Sequence, residues 1–433
     1  MVSESPFRHD INDCLAANIG PEGLSDEAFK SALADTEPLL ESLRAGGNPE
    51  LEALLRLPGR DDDLAALEAV AARLRERFDD VVVLGTGGSS LGGQTLVALA
   101  SAGARPRLHF MDNIDPGQFE GLLAGLDLAR CGFLAISKSG GTAETMAQTL
   151  IAIGALRQAL GDAAVAERMT AIVEPGSSPL RRLAERHGMA ILDHDPRVGG
   201  RFSALSPTGI LPALIAGLDA RALRGGAAAV LDAALDAPAI ADCAPAVGAA
   251  VSVGLLRERG AATTVLMPYA EALGRFGAWF SQLWAESLGK DGAGTTPAIA
   301  MGATDQHSQL QLYLDGPRDK MFTLITLDRD GAAPAIPQGL SDDPELAYLE
   351  GRTLGDLMAA EQRATADTLA RSGHPLRRIE LPRLDERILG GLLMHFMLET
   401  IIAAGLMGVD PFGQPAVEQG KRLAREYLAD SAT

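Results

Sequence analysis

Phe133-Leu-Ala-Ile-Ser-Lys-Ser-Gly-Gly-Thr-Ala-Glu-Thr145 passes from a short apolar run, Phe133 to Ile136, into hydroxylated and glycine residues, and then into a helix-like run over 143–160. This is the pattern of a buried strand that feeds a loop opening a helix. Ser137, Ser139 and Thr142 offer hydroxyls, and Gly140 and Gly141 let backbone N–H groups approach a ligand closely. The helix N-terminus adds unpaired N–H groups and a partial positive charge, so the stretch suits a phosphate dianion. It would serve equally as a plain strand-to-helix turn with Thr142 as N-cap.

The same unit recurs upstream. Asp80-Val-Val-Val-Leu-Gly85 runs into Thr86-Gly-Gly-Ser-Ser-Leu-Gly-Gly93 and a further helical stretch. Strand-like and helix-like runs then alternate: strands at 107–111, 133–137, 170–173 and 189–193, with helices at 117–126, 143–160 and 179–187. Such alternation predicts a parallel sheet with helices on both faces, and ligands on such sheets lie at the carboxyl ends of the strands, where both glycine loops fall. Neither loop has dinucleotide spacing, and no GxxxxGK[ST] occurs. A second alternating set begins at Thr263, with strands at 263–268, 297–301, 321–327 and 378–381 and helices at 270–288, 306–314, 354–371 and 384–405. The segment before Asp79 reads as helical and polar, with helices at 26–43, 49–57 and 61–78. Residues 328–347 read as a loose surface loop, and a last helix runs to about Leu428.

The chain has 433 residues and 47% apolar content, enough for two or three lobes with a large core. Lys+Arg 38 against Asp+Glu 57 leaves −19, which argues against nucleic-acid binding and requires any phosphate ester to be captured by local positive potential. Cys14, Cys131 and Cys243 are far apart and imply buried thiols rather than disulfides or a zinc site. No His/Asp/Glu grouping has metal-ligand spacing, and no cofactor is expected. Neither a signal segment nor a membrane span is predicted, and the cytoplasm is the expected location.

Four further polar residues stand out. Glu286 shares a helix face with Gln282 among Phe276, Trp279, Phe280, Leu283, Trp284 and Leu288. A carboxylate in that company is either paired or poised as a base, although an ordinary amphipathic stripe would read the same way. Arg201 follows Gly199-Gly200, a pair that brings backbone close to something and leaves the guanidinium exposed above it. His307 sits at a helix start, and Lys421 lies near the C-terminus. His9 reads as a surface side chain. His395 and Glu399, four apart on an apolar helix, read as a structural hydrogen-bonding pair.

Taken together, six stretches resemble the phosphoglucose isomerase family in its compact bacterial form. They are Gly85-Thr-Gly-Gly-Ser-Ser-Leu-Gly92, Ser137-Lys-Ser-Gly-Gly-Thr-Ala-Glu-Thr145, Val198-Gly-Gly-Arg-Phe-Ser203, Gln282-Leu-Trp-Ala-Glu-Ser-Leu-Gly-Lys290, Asp305-Gln-His-Ser-Gln309 and Pro411-Phe-Gly-Gln-Pro-Ala-Val-Glu-Gln-Gly-Lys421. They keep the family's order over roughly residues 80 to 428. This chain departs at Gly413 and Ala416, where relatives carry Asp and Gly, and at Pro196, where an acidic or amide residue is usual.

The resemblance implies an α/β protein with two sugar-isomerase (SIS-type) lobes, each a mostly parallel sheet between helices. The expected division is a helical segment 1–78, a first lobe 79–215, a second lobe 216–405, and a tail with a helix at 406–433. It also implies reversible conversion of D-glucose 6-phosphate to D-fructose 6-phosphate through an enediolate, as in glycolysis and gluconeogenesis. Ser137, Lys138 (by its backbone), Ser139 and Thr142 would hold the phosphate, with Gly88 and Ser89 nearby. Arg201, after Gly200, would stabilise the enediolate, and Glu286, beside Gln282, would shuttle the proton. His307 with Lys421 would open the sugar ring, with Gln414 close by. A homodimer is implied, with His307 reaching the site from the partner. The competing readings are an isomerase that also takes mannose 6-phosphate, a non-catalytic sugar-phosphate sensor, and a transferase using the lobes as its isomerase half. The sensor lacks its usual helix-turn-helix domain here, and the transferase lacks a cysteine at position 2.

Overall fold

Val81, Val83, Leu134, Ile136 and Ile172 point into one apolar core, and their neighbours Val82, Leu84, Phe133, Ala135, Ala171 and Val173 point into another. This two-residue period, with both faces buried, is what the continuous apolar runs of the sequence require. In a computed structural model, described over residues 6–329 and 331–430, the chain forms two five-stranded sheets. Residues 1–5 of the expected N-terminal segment, Asp330 of the expected loop and 431–433 of the expected tail lie outside the described residues.

In chain order the strands are β1 (Arg8–Asp10), β2 (Asp80–Leu84), β3 (Arg107–Met111), β4 (Cys131–Ile136), β5 (Met169–Val173), β6 (Ala190–Asp193), β7 (Thr263–Pro268), β8 (Thr296–Ile299), β9 (Lys320–Leu327) and β10 (Leu376–Leu381). The first sheet has order β3-β2-β4-β5-β6 and is parallel throughout. The second has order β1-β10-β9-β7-β8, parallel except for β1, which pairs antiparallel with β10 through His9 and Ile379. The α/β class with two mostly parallel sheets is therefore as the sequence predicts.

The sheets share a core. Leu266, Ile325, Ile379 and Leu381 of the second sheet belong to the same apolar cluster as Val81 and Ile136 of the first. The helices Pro207–Ile215, Ala220–Leu235, Gly274–Leu288 and Glu386–Met407 contribute to that cluster. Trp279, Trp284, Phe276, Phe280 and Phe396 are the bulk of the filling, and burying each such side chain is worth roughly 1.5–3 kcal/mol. The helix Glu386–Met407 is, among the described residues, the one helix long and apolar enough to cross a membrane, and it is walled in by protein.

Three local expectations change. The segment before Asp79 is not wholly helical: it supplies β1, too short for a period to show. The run 26–43 is two helices, Asp26–Ala34 and Glu37–Ala45, because Pro38 is accepted only in the first turn of a new helix. The Ala- and Pro-rich stretch 236–247, expected to lie between helices, already enters one at Ala244: the helix Ala244–Arg259 is buried over most of its circumference and so presents no polar stripe to mark its bounds.

Candidate active site

The loop after β4 is held open by its own backbone. Ser137 N donates to Ile172 O (3.1 Å), and Gly140 N to Ser137 O (3.1 Å). Glu174 N donates to Lys138 O (3.1 Å). Gly140 has φ of +63°, and a Cβ there would lie 2.1 Å from Ser178 Oγ, so no other residue fits. Ser137 Oγ and Thr142 Oγ1 share a hydrogen bond of 2.9 Å, and Ser139 Oγ accepts from Gly141 N (3.3 Å).

Thr142 occupies the N-cap of the helix Ala143–Leu160, but its hydroxyl does not cap it. The helices opened by Ser178, Asp219 and Asp385 are capped by those side chains. The first-turn N–H groups of Ala143–Leu160 are thus left without a side-chain acceptor, at an end that favours negative charge. Thr145, in the same turn, is 1% exposed, and its hydroxyl has no partner. Lys138 is half-buried, and burial lowers its pKa, opposed by Glu174.

The first glycine loop meets the arginine segment backbone to backbone. A Cβ on Gly88 would lie 2.2 Å from the carbonyl carbon of Gly200. Ser203 Oγ ties the two, bonding to Gly88 O at 3.2 Å and Gly200 O at 2.7 Å. Ser89 beside them is half-buried.

Arg201 is the hub of the site. Its Nε donates to Ser287 Oγ (2.8 Å), and its Nη1 to Glu286 Oε2 and Gln414 Oε1 (3.1 Å each). Its Nη2 donates to Gly413 O (3.0 Å) and Pro411 O. Trp279 Nε1 fixes the backbone by donating to Arg201 O (3.1 Å). Five N–H groups therefore meet five acceptors. The exposed guanidinium expected from the sequence is in fact 3% exposed, because residues 410–414 fold over it. Burial lowers its pKa, with Glu286 acting in the opposite direction.

Glu286 is paired through both oxygens, with Arg201 on Oε2 and Gln282 Nε2 on Oε1 (3.1 Å), while its side chain stays 32% exposed. It is thus oriented and reachable from solvent.

Two expected members stand apart. His307, at the end of the turn Thr304–His307, is exposed. Lys421, on the helix Glu418–Asp430, is 56% exposed and bonds to Glu418 Oε1 at 2.7 Å. That helix buries no residue. Among the described residues no bond joins His307 to Lys421, and none is expected within one chain, since the resemblance implies that His307 reaches the site from a partner.

Ser287, Ser203, Trp279, Lys290 and Thr145 belong to the site without having been singled out. Ser203, Ser287 and Lys290 lie inside the quoted motifs and Trp279 just before one, so their signal is proximity in sequence to Arg201 or Glu286; Thr145 closes the stretch Ser137–Thr145 and has only that signal.

Elsewhere, His395 Nε2 lies 3.2 Å from Glu399 Oε2, so the two are in contact although the ring nitrogen makes no hydrogen bond, and Arg377 Nη1 completes a fully buried group by donating to Glu399 Oε2 at 2.9 Å. His9 is not a surface side chain. Its ring lies 5.4 Å from that of His395, its Nε2 is buried without a partner, and burial lowers its pKa well below the usual value. Among the described residues no cluster of His, Cys, Asp and Glu could hold a metal ion.

Residues 71–316 match the family model for phosphoglucose isomerase. The glucose-6-phosphate isomerase of Rubrobacter xylanophilus is 41% identical over 405 residues, covering 90% of this chain and 92% of the relative. That of Thermus thermophilus is 36% identical over 421 residues, covering 93% and 97%. Among solved structures, a hypothetical protein from Thermus thermophilus superposes with a TM-score of 0.85 at 33% identity, covering 98% of this chain and all of the other. A glucose-6-phosphate isomerase from Chlamydia trachomatis gives 0.83 over 96% of this chain and 88% of the other; at 22% identity this likeness concerns the fold.

Proposed function

The chain belongs to the phosphoglucose isomerase family, and on that premise we propose that the Arg201–Glu286 cluster is where its reaction takes place. The protein is an aldose–ketose isomerase that interconverts D-glucose 6-phosphate and D-fructose 6-phosphate, a step of glycolysis and gluconeogenesis.

In this reading the phosphate docks at the start of the helix Ala143–Leu160, on Ser137, Ser139, Thr142 and the backbone of Lys138, and Thr145 joins them as a further donor. Gly88, Ser89 and Gly200 line the path between phosphate and reacting carbons. Anchoring the substrate at the phosphate lets its binding energy orient carbons 1 and 2. Glu286 takes the proton from one carbon and returns it to the other on the same face, which a carboxylate held at both oxygens can do without turning. The enediolate that forms in between carries new negative charge, and Arg201 meets it as a positive charge already fixed in place. Since every Arg201 N–H is taken, a direct bond to the intermediate requires one of its five acceptors to yield.

His307 and Lys421 open the sugar ring, with Gln414 beside them. His307 is supplied by a second copy of the chain in a homodimer, a reading supported by its exposure here. The cytoplasm is the expected location, and the two lobes 79–215 and 216–405 are the expected units.

The observation that carries the assignment is the 3.1 Å contact between Arg201 Nη1 and Glu286 Oε2, which puts a base beside a fixed cation. A coupled assay on glucose 6-phosphate, run beside mannose 6-phosphate, tests it. Folded protein that turns over neither sugar phosphate would sink the assignment, and equal turnover of both would widen the substrate class.

A further inference from the structure

The root of the C-terminal tail is gripped by two cations at four consecutive carbonyls. Lys290 Nζ donates to Phe412 O (2.9 Å) and Asp410 O, and Arg201 Nη2 donates to Gly413 O (3.0 Å) and Pro411 O. The carbonyls alternate, 410 and 412 to the lysine, 411 and 413 to the arginine. This segment lies in neither helix nor strand, so these carbonyls have no ladder to satisfy them. The next residue, Gln414, places its Oε1 on Arg201 Nη1, the same nitrogen that serves Glu286.

Both cations come from active-site elements. Arg201 stands in the turn Gly200–Leu205, and Lys290 stands two residues past the helix Gly274–Leu288 that carries Gln282 and Glu286. Lys290 N donates to Leu288 O (2.8 Å), which ties its backbone to the end of that helix. Two like charges at close quarters repel, and the row of carbonyl oxygens supplies the negative ends that hold them in one arrangement. Phe412, packed 5.5 Å from Phe202, fills the apolar side of the clamp.

We propose that Lys290 is a positioning residue of the isomerase. By fixing the 410–413 backbone it seats Gln414 on Arg201, and so sets the guanidinium against Glu286. Lys290 itself does not touch the substrate. The proposal rests on the reading of Arg201 and Glu286 given above. Without the lysine, the carbonyls of Asp410 and Phe412 lose their donor, the tail root loosens, and Gln414 leaves its place.

The test compares Lys290→Met and Lys290→Arg with the full-length parent. The measurements are kcat and KM for glucose 6-phosphate, inhibition by inorganic phosphate, and amide hydrogen exchange across the chain. The methionine variant is expected to lose about tenfold or more in kcat, the equivalent of one broken site contact. Inorganic phosphate inhibition should move by less than about twofold, because the loop 137–145 is held by separate bonds. Exchange should quicken across 410–416 and stay unchanged across 137–145, and arginine should restore most of the kcat. The proposal is overturned by a methionine variant with unchanged kcat, by a loss of kcat with no change in exchange at 410–416, or by faster exchange throughout the chain. If the parent itself does not turn over glucose 6-phosphate, the isomerase reading falls, and exchange at 410–416 still decides whether the clamp exists.

Discussion

Arg201 Nη1 lies 3.1 Å from Glu286 Oε2, and no N–H of the guanidinium is left over. The proposed base is therefore set by a cation whose own orientation has no freedom. Glu286→Gln keeps an acceptor for Arg201 but removes the ability to take a proton. The variant should fold normally, bind a non-reacting sugar-phosphate analogue within a few-fold of the parent, and lose about 10²–10⁴ in kcat. Activity near that of the parent would mean that another group is the base.

Thr145 offers a test with opposite signs for folding and binding. Its buried hydroxyl has no partner in the free chain. Thr145→Val replaces that hydroxyl with a methyl of similar shape, so thermal stability should hold or rise. If the hydroxyl serves the phosphate, inhibition by inorganic phosphate should weaken by about tenfold, which is one lost charge-assisted hydrogen bond. Unchanged inhibition would remove Thr145 from the site.

Much of this is legible in the sequence for physical reasons. The runs Val81–Leu84 and Phe133–Ile136 are apolar throughout because both sheet faces are covered, so strand, loop and ligand edge could be read directly. Arg201 could be singled out from Gly199-Gly200, yet its burial could not, because the carbonyls that close over it lie more than 200 positions away. Gly88 and Gly200 each looked like loop glycines; their mutual contact comes from the fold alone. β1 leaves no mark in the sequence because three residues carry no period. The position of His9 against His395 is likewise set by β1 pairing with β10. Lys421 is legible by resemblance only, because its helix buries no residue within one chain.

The buried group of Arg377, Glu399 and His395 makes a pH-dependent prediction. Burial alone would raise the Glu399 pKa, but Arg377 and His395 outweigh it and hold it at about 2. A carboxylate with a lowered folded pKa stabilises the fold above its unfolded value and loses that contribution as pH falls toward the folded one. Glu399→Gln should therefore cost about 3–5 kcal/mol near neutrality, where it leaves Arg377 buried without its counter-charge. The gap between variant and parent should narrow as pH drops from the ordinary glutamate range toward 2. Denaturant unfolding at a series of pH values measures this, and a gap that stays constant or widens in acid would contradict the assigned ionisation.

A complete site should need two chains, because His307 is exposed and unpaired with Lys421 in one. Glu286→Gln and His307→Ala should each be nearly inactive as pure proteins. If His307 acts across a two-fold interface, unfolding and refolding them together creates mixed dimers. In such a dimer one site pairs the intact Glu286 of one chain with the partner subunit's intact His307, and the other site lacks both. With equal amounts, half of the dimers are mixed and each has one working site, so activity should return to about a quarter of the parent's. A histidine acting within its own chain gives no recovery on mixing, because every site then lacks either its base or its ring-opening group. The size of the recovery therefore separates the two arrangements without any knowledge of the interface itself.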